Sequence, residues 1–357
     1  MRDVMRDIKI VKDSQRKENQ LCIGIDLGTS WTAVMSDRGD RFLNRTIVGY
    51  PKDIIGHQVV GSNFVVGEDA LKQRESLSLY FPLESGVVKD TTEKDIAAAT
   101  ELLTYVVSLT QPRPEDEVCG IIGVPARASI ISKELLLRIA KDALHVAAVV
   151  SEPFLVAYGL GTLRNTIIVD IGAGTIDVCG LKGMLPGEED QITLVTAGDY
   201  IDNFLLIAIT ECYPDVQLTK NLARKIKEEY SFVGPPSSPV MVTLRVGGKP
   251  RQFEVTQEIR AACESIVPDV VEAIQSIVRG FDPEKQEDAL KNIYLAGGGS
   301  KIKGLDRMVA AELKGYGEVG VSCVEDPVFA GCAGAIKLIS DVPPKLWDRL
   351  GTMTYIE

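Results

Sequence analysis

Two segments of the sequence each place a glycine-rich turn directly after an aspartate. In one, β-branched residues lead into Asp170 and the turn Gly172–Thr175 follows; in the other, Asp26 and the turn Gly28–Ser30 occupy matching positions. Small residues let backbone N–H groups approach an anion closely, and the hydroxyls of Thr and Ser can donate further hydrogen bonds. A single such turn is an ordinary feature. Its repetition predicts two related halves, each with a phosphate-binding hairpin.

The two aspartates predict a cation beside the phosphates. At about 4 Å and an effective dielectric constant of about 20, two like charges repel by about 4 kcal/mol. A divalent cation reverses the sign of this interaction, and Mg²⁺ typically takes one or two protein carboxylates and keeps several waters. Asp26 and Asp170 are therefore predicted to hold magnesium through water. The alternative is that each aspartate only caps its hairpin.

Glu152 is the candidate catalytic residue, together with Asp170. Pro153 follows it and favours an extended backbone at Glu152, which would fix the direction of its side chain at the start of a helix. A glutamate with an ordinary pKa of about 4.3 is a weak base. Phosphoryl transfer through a loose transition state nevertheless needs mainly an oriented, polarised water. The alternative is an acidic residue favoured by the helix dipole.

A third glycine-rich stretch, Gly297–Ser300, follows the apolar segment Asn292–Ala296 and precedes a predicted helix. Because glycine has no Cβ, a flat base or a ribose can lie against such a backbone. The alternative is a flexible turn. Neither the G-x-x-x-x-G-K-[ST] pattern nor G-x-G-x-x-G after a first strand is present. The sequence therefore does not predict a P-loop or a Rossmann nucleotide-binding motif.

Composition excludes several classes of protein. The chain has 357 residues, enough for about two domains, and its net charge of −11 argues against a protein that neutralises nucleic-acid phosphates. No run of 18 apolar residues is present, which argues against a transmembrane helix. Seven cysteines without a C-x-x-C pair favour reduced thiols, and two isolated histidines, His57 and His145, do not build a Ser/His/Asp relay.

Strands and helices alternate along the chain, which predicts α/β layers. The pattern predicts one strand over Phe42–Tyr50, a helix over Ser132–Leu144 and a strand over Gln191–Ala197. It also predicts a helix over Thr92–Leu109 that starts at the spacing Thr-x-x-Asp, Thr92 to Asp95. A single long helix is expected over Gln257–Arg279, continuing through Pro268. Residues 1–20 are highly charged and lack an apolar core segment, so they are expected to form a solvated tail rather than a secretion signal.

Four motifs resemble those of the actin and sugar-kinase ATPase superfamily. They are G-I-D-L-G-T at 24–29, S-E-P-F at 151–154, V-D-I-G-A-G-T-I-D at 169–177 and A-G-G-G-S-K-I-K-G-L at 296–305. Segments 48–53, 80–88, 123–128, 231–234 and 326–327 further resemble the bacterial actins that form magnetosome filaments. The resemblance implies an actin-like ATPase fold of class α/β, with two related halves around a nucleotide cleft, four subdomains, and ATP and Mg²⁺ as cofactors.

The resemblance also implies subdomain boundaries and a set of site residues. By analogy Lys227 lies near the ribose or adenine, whereas cell-shape actins carry a glutamate where Arg224 stands, so that ribose contact is not carried over. The residues expected to bind nucleotide are Asp26, Gly28, Thr29, Ser30, Asp170, Gly172, Ala173, Gly174, Thr175, Lys227, Gly297, Gly298, Gly299 and Ser300. The expected subdomains are IA at 21–52, 87–165 and 330–357, IB at 53–86, IIA at 166–198 and 260–329, and IIB at 199–259.

The implied function is an ATP-driven cytoplasmic filament that organises and positions magnetosomes. Its expected partners are further copies of the chain, joined head to tail, and adaptor proteins on the magnetosome surface. Neither nucleic acid nor direct membrane insertion is expected. A cell-shape actin, a small-molecule kinase on the same fold and a chaperone-type ATPase are the alternatives. The last is disfavoured because the substrate-binding domain of such a chaperone is not expected in this chain.

Overall fold

The computed structural model describes residues 19–342 and 354–356, so most of the predicted N-terminal tail lies outside the described residues. The chain divides into two compact units. One contains the chain up to Arg164, the short segment Gly183–Gly187 and the chain from Val328 onward. The other contains Asn165–Lys182 and Glu188–Pro327.

The first unit is built on a six-stranded sheet. Its strands are β1 (Gln20–Leu27), β2 (Trp31–Ser36), β3 (Arg41–Arg45), β9 (Glu117–Val124), β10 (Val146–Ser151) and β19 (Thr354–Ile356), in the order β19-β10-β9-β1-β2-β3. β1 and β2 form the predicted antiparallel hairpin, and β9 lies parallel between β1 and β10. Apolar strands such as Val118–Val124 are buried, as expected for the middle of a sheet.

The predicted strand over Phe42–Tyr50 is wrong as a single element, because the chain leaves one sheet and enters another. β3 ends at Arg45, and Thr46 turns away with its N–H donating to the carbonyl of Ser30 at 3.1 Å. The chain then enters β4 (Val48–Pro51), which pairs with two other strands in a smaller sheet. The elements of this smaller region are β4 (Val48–Pro51), α1 (Ile54–Val60), β5 (Val65–Val66), α2 (Glu68–Lys72), β6 (Leu77–Tyr80), β7 (Leu83–Glu84) and β8 (Val87–Val88).

Among the described residues, the first unit also contains the helices α3 (Glu93–Ser108), α4 (Ile130–Ala140), α5 (Glu152–Leu160) and α12 (Ala330–Asp341). The predicted start of α3 is confirmed, since Thr92 and Asp95 form a reciprocal capping box. The helix predicted over Ser132–Leu144 begins earlier, because the Ser129 side chain caps it, and ends at Ala140. α5 and α12 pack closely, since a Cβ on Gly334 would lie 1.8 Å from the carbonyl oxygen of Leu155.

The second unit contains a five-stranded sheet and a three-stranded sheet. The first has the order β13-β12-β11-β17-β18, with strands β11 (Arg164–Ile171), β12 (Ile176–Lys182), β13 (Gln191–Leu194), β17 (Ile293–Ala296) and β18 (Val321–Cys323). The second consists of β14 (Val216–Gln217), β15 (Met241–Val246) and β16 (Lys249–Glu254). β13 is shorter than predicted, because Ala197 already precedes the next helix.

Six helices lie in the second unit: α6 (Gly198–Cys212), α7 (Lys220–Tyr230), α8 (Thr256–Glu264), α9 (Val267–Arg279), α10 (Pro283–Leu290) and α11 (Leu305–Leu313). The single helix predicted over Gln257–Arg279 is wrong. Pro268 lies in the first turn of α9, where a missing N–H costs little, and the chain therefore starts a new helix there. Within the described residues, no helix is long and apolar enough to cross a membrane.

Candidate functional site

The sheet register of the first unit brings Asp26 and Glu152 together. Asp26 on β1 pairs with Gly123 on β9, and Gly123 pairs in turn with Val150 on β10. Glu152 follows β10 and opens α5. A Cβ on Gly123 would lie 2.8 Å from Cγ of Glu152, so the glutamate side chain occupies the space that this glycine leaves. Both predicted acids therefore lie at the carboxyl ends of parallel strands, where ligands of α/β sheets commonly bind.

Partial burial of Asp26 beside another carboxyl group changes its proton affinity. Desolvation raises the pKa of Asp26 from 3.8 to about 6, and a hydrogen bond with Glu152 opposes part of this rise. Two adjacent carboxyl groups are stabilised by a shared proton or by a cation. Among the described residues, no cluster of three or more His, Cys, Asp or Glu side chains could hold a metal. The acids present fit a Mg²⁺ that takes its other ligands from water and phosphate oxygens.

The turn Gly28–Ser30 is held in place by two neighbouring segments. The hydroxyl of Thr46 donates to the carbonyl of Gly28 at 2.7 Å, and the N–H of Gly86 donates to Oγ1 of Thr29, also at 2.7 Å. Gly28 itself has no room for a side chain, since a Cβ would lie 2.7 Å from the carbonyl oxygen of Trp31. The backbone of this turn is therefore fixed before any ligand binds.

The turn Gly172–Thr175 in the second unit closes through its own backbone. The N–H of Gly172 donates to the carbonyl of Thr175 at 2.9 Å. The hydroxyl of Thr175 donates to the buried carboxylate of Asp177 at 2.9 Å, and Thr193 donates to the same carboxylate at 2.5 Å. Sequence reasoning did not assign a role to Asp177, although an aspartate within an apolar strand signals a buried hydrogen-bond acceptor.

The glycines of Gly297–Ser300 have different roles. Asp170 pairs with Ala296 on β17, so Gly297 lies beside Asp170, and a Cβ there would lie 2.4 Å from its Oδ1. Gly297 also has φ of +72°, a conformation that favours glycine. A Cβ on Gly299 would lie 2.2 Å from Cγ2 of Ile171, whereas nothing lies within 4 Å of one on Gly298. Packing therefore requires two of the three glycines, and the open backbone is at Gly298.

Lys227 lies near the turn that follows Asp170, but its amine contacts protein groups. Its Nζ donates to the carbonyl of Gly198 at 2.8 Å and pairs with Asp202 at 2.7 Å. The N–H of Gly198 donates to the carbonyl of Gly172 at 3.1 Å. The structure thus brings Lys227 and the turn Gly172–Thr175 together through Gly198, and Asp202 is a buried member of this group that the sequence did not indicate.

Parallel strands that end in aspartate-glycine turns, with helices packed against them, define an actin-like fold. The chain belongs to the MreB/Mbl protein family, which it matches over residues 20–344. It is 49% identical over 337 residues to the actin-like protein MamK of Paramagnetospirillum magneticum, covering 94% of this chain and 97% of that protein. It is 48% identical over 349 residues to MamK of Magnetospirillum gryphiswaldense, covering 98% of this chain and 97% of that protein.

Solved structures are similar over nearly the whole chain. A MamK double helical filament superposes with a TM-score of 0.89 at 50% identity, covering 91% of this chain and 100% of that one. A non-polymerising MamK variant bound to AMPPNP gives a TM-score of 0.71 at 50% identity, covering 90% of this chain and 99% of that one. MreB 5 of Spiroplasma citri shows the common fold. It superposes with a TM-score of 0.77 at 18% identity, covering 93% of this chain and 100% of that one.

Proposed function

We propose that the chain is an actin homologue that forms filaments with ATP and positions magnetosomes, and that ATP hydrolysis drives filament turnover. The observation that carries this proposal is the similarity to the MamK double helical filament, at 50% identity and a TM-score of 0.89. The AMPPNP-bound MamK variant supports ATP as the nucleotide. Head-to-tail copies of this chain are the first partner, and adaptor proteins on the magnetosome surface are the second.

The turns of both units are proposed to bind phosphate oxygens. Backbone N–H groups of Gly28–Ser30 and Gly172–Thr175 donate to phosphates, because such turns concentrate donors at small residues. The backbone at Gly298 is proposed to accept the adenosine, since it has open space beside it. Lys227 is proposed to belong to the nucleotide site, because it binds the carbonyl of Gly198 and the N–H of Gly198 binds the carbonyl of Gly172. The four predicted subdomains, with the boundaries given above, are proposed as the parts of the two halves.

Asp26 and Asp170 are proposed to hold Mg²⁺ through water, and the metal supplies charge neutralisation for the phosphates. Glu152 is proposed to orient and polarise the attacking water. The space above Gly123 fixes the first part of the Glu152 side chain. A carboxylate held in this way contributes by positioning, which suits a transition state that needs little early deprotonation.

Sedimentation of the purified full chain tests the filament proposal. With ATP and magnesium the protein is expected to pellet, and with EDTA it is expected to remain in the supernatant. Asp170→Asn should lose pelleting, whereas Asp142→Asn, at an exposed position, should retain it. ATP turnover without polymer under any condition would contradict the proposal and favour a small-molecule kinase.

Liposome co-sedimentation separates the magnetosome role from a cell-shape role. Cell-shape relatives are more distant, with 25% identity over 325 residues to Mbl of Bacillus subtilis. A filament that lies in the cytoplasm beside magnetosomes and reaches them through adaptors should not pellet with bare lipid vesicles. Strong binding to lipid alone would favour the cell-shape role instead.

A further inference from the structure

Four charged side chains from α6 and α7 form one connected cluster. Arg224 donates through Nε to Asp202 at 2.9 Å and through an η nitrogen to Asp199 at 3.2 Å. Lys227 pairs with the other oxygen of Asp202 at 2.7 Å. Asp202 has no exposed side-chain surface, and the side chains of Arg224 and Lys227 are 14% exposed. The cluster therefore contains two carboxylates and two cations, and one of these carboxylates, Asp202, is fully buried.

Burying a carboxylate is unfavourable unless cations and hydrogen bonds compensate it. Both oxygens of Asp202 have a cationic partner, one from Arg224 and one from Lys227. Arg224 can hold two acceptors at once because its guanidinium is planar and presents several donors in fixed directions. The pairing with Asp199 extends the cluster to the first turn of α6.

The first turn of α6 is hydrogen-bonded to the phosphate turn of the second unit. The N–H of Gly198 donates to the carbonyl of Gly172 at 3.1 Å, and the N–H of Asp199 donates to the carbonyl of Ala173 at 2.7 Å. Lys227 binds the same turn of the helix through the carbonyl of Gly198. Gly198 has little room, since a Cβ there would lie 3.1 Å from Cα of Ala173. Any shift of α6 therefore moves the phosphate turn.

We propose that Arg224 is a positioning residue for the nucleotide. With Asp202 and Lys227 it fixes the start of α6, whose first N–H groups hold the carbonyls of Gly172 and Ala173. Lys227 contributes through its contacts with Asp202 and with the carbonyl of Gly198. The inference rests on the proposed function, because it takes the Gly172–Thr175 turn as a binder of ATP phosphates.

Amide hydrogen exchange on the nucleotide-free full chain tests the first step. In Arg224→Met the amides of Gly198 and Asp199 should exchange about tenfold faster, the change expected for loss of about one charge-assisted hydrogen bond. Arg224→Lys keeps the cation at position 224, in addition to Lys227, and should give a smaller change. Arg251→Met, on an exposed part of β16, should leave this exchange unchanged. If Arg224→Met does not fold, Asp199→Asn weakens the outer contact by removing its charge and is measured in its place.

Equilibrium titration with a fluorescent, non-hydrolysable ATP analogue and magnesium tests the second step. Arg224→Met should bind the analogue about tenfold more weakly than the unaltered chain, and Arg224→Lys should recover part of this affinity. Faster exchange with unchanged affinity, or no change in either measurement, would overturn the role of Arg224 and leave the proposed function intact. Failure of the unaltered chain to bind the analogue would overturn the proposed function and this inference with it.

Discussion

Replacement of Asp26 by asparagine should stabilise the nucleotide-free protein at neutral pH while weakening its binding of magnesium and ATP. Burial raises the pKa of Asp26 from 3.8 to about 6. At pH 7.5 the folded protein must therefore keep a charge that its surroundings disfavour. This rise in pKa corresponds to roughly 3 kcal/mol, because one pKa unit is about 1.4 kcal/mol. Asparagine has nearly the same shape and no charge, so we expect the variant to gain up to roughly 3 kcal/mol in the free energy of unfolding.

The sign of the pH dependence follows from the direction of the shift. A group whose pKa is raised on folding stabilises the folded state below its unfolded pKa, and this contribution is lost as the pH rises through the folded pKa. The unaltered chain should therefore lose stability from this group between about pH 4 and pH 6, relative to the asparagine variant. The advantage of Asp26→Asn should be largest above pH 7 and should shrink as the pH falls towards 4.

Urea unfolding of both proteins in EDTA, at pH 7.5 and at pH 5, measures this difference. Asp142→Asn is the matched control in the same unit, because Asp142 is exposed, and it should show no pH-dependent difference. Titration with magnesium and the ATP analogue should show weaker binding for Asp26→Asn by about tenfold or more, the loss of about one ionic contact. An asparagine variant that is less stable than the unaltered chain at pH 7.5 would refute the argument from burial.

Three further predictions concern the proposed site and the filament. Glu152→Ala should still pellet with ATP but release phosphate at least about tenfold more slowly, as expected for loss of a group that orients water; normal phosphate release would remove Glu152 from the catalytic role. Gly297→Ala should weaken binding of the ATP analogue by about tenfold or more, because the new Cβ would lie 2.4 Å from Oδ1 of Asp170 and the φ of +72° disfavours alanine. Gly298→Ala changes an open position and should bind the analogue normally. Equal effects of the two substitutions would contradict the packing argument. Light scattering during assembly should depend on salt, since subunits with a net charge of −11 repel one another, and scattering that stays constant across a wide salt series would exclude that electrostatic contribution.

The parts of the fold that the sequence predicts well have local signals. The hairpin at Asp26 follows from apolar strands around a glycine turn, and the capping box at Thr92 follows from residue spacing alone. The split between α8 and α9 was missed because helix formers surround Pro268, and only the packing decides whether the helix kinks or restarts. α10 was not predicted, since its sequence has apolar residues only near its end, at Ala289 and Leu290.

The contacts of the candidate site depend on long-range pairing that no local pattern contains. The meeting of Asp26 with Glu152 requires the register of three strands and the missing side chain of Gly123. The charge cluster at Asp202 was also not predicted, because aspartate and arginine on two amphipathic helices are ordinarily surface residues. Spacing within one helix cannot tell whether an acid faces water or a cation from another helix.

The two halves share the aspartate and its turn, yet the contacts that hold each turn are unrelated. In the first unit, Thr46 and Gly86 hold the turn from segments next to the smaller sheet. In the second unit, the first turn of α6 holds the glycine turn, and Arg224 contacts α6 through Asp202. The similarity between the halves therefore extends to the groups that are proposed to face the phosphates, while the supporting contacts differ. A substitution in either support should loosen one turn and leave the other unchanged, and this makes the contribution of each half to nucleotide affinity separately measurable.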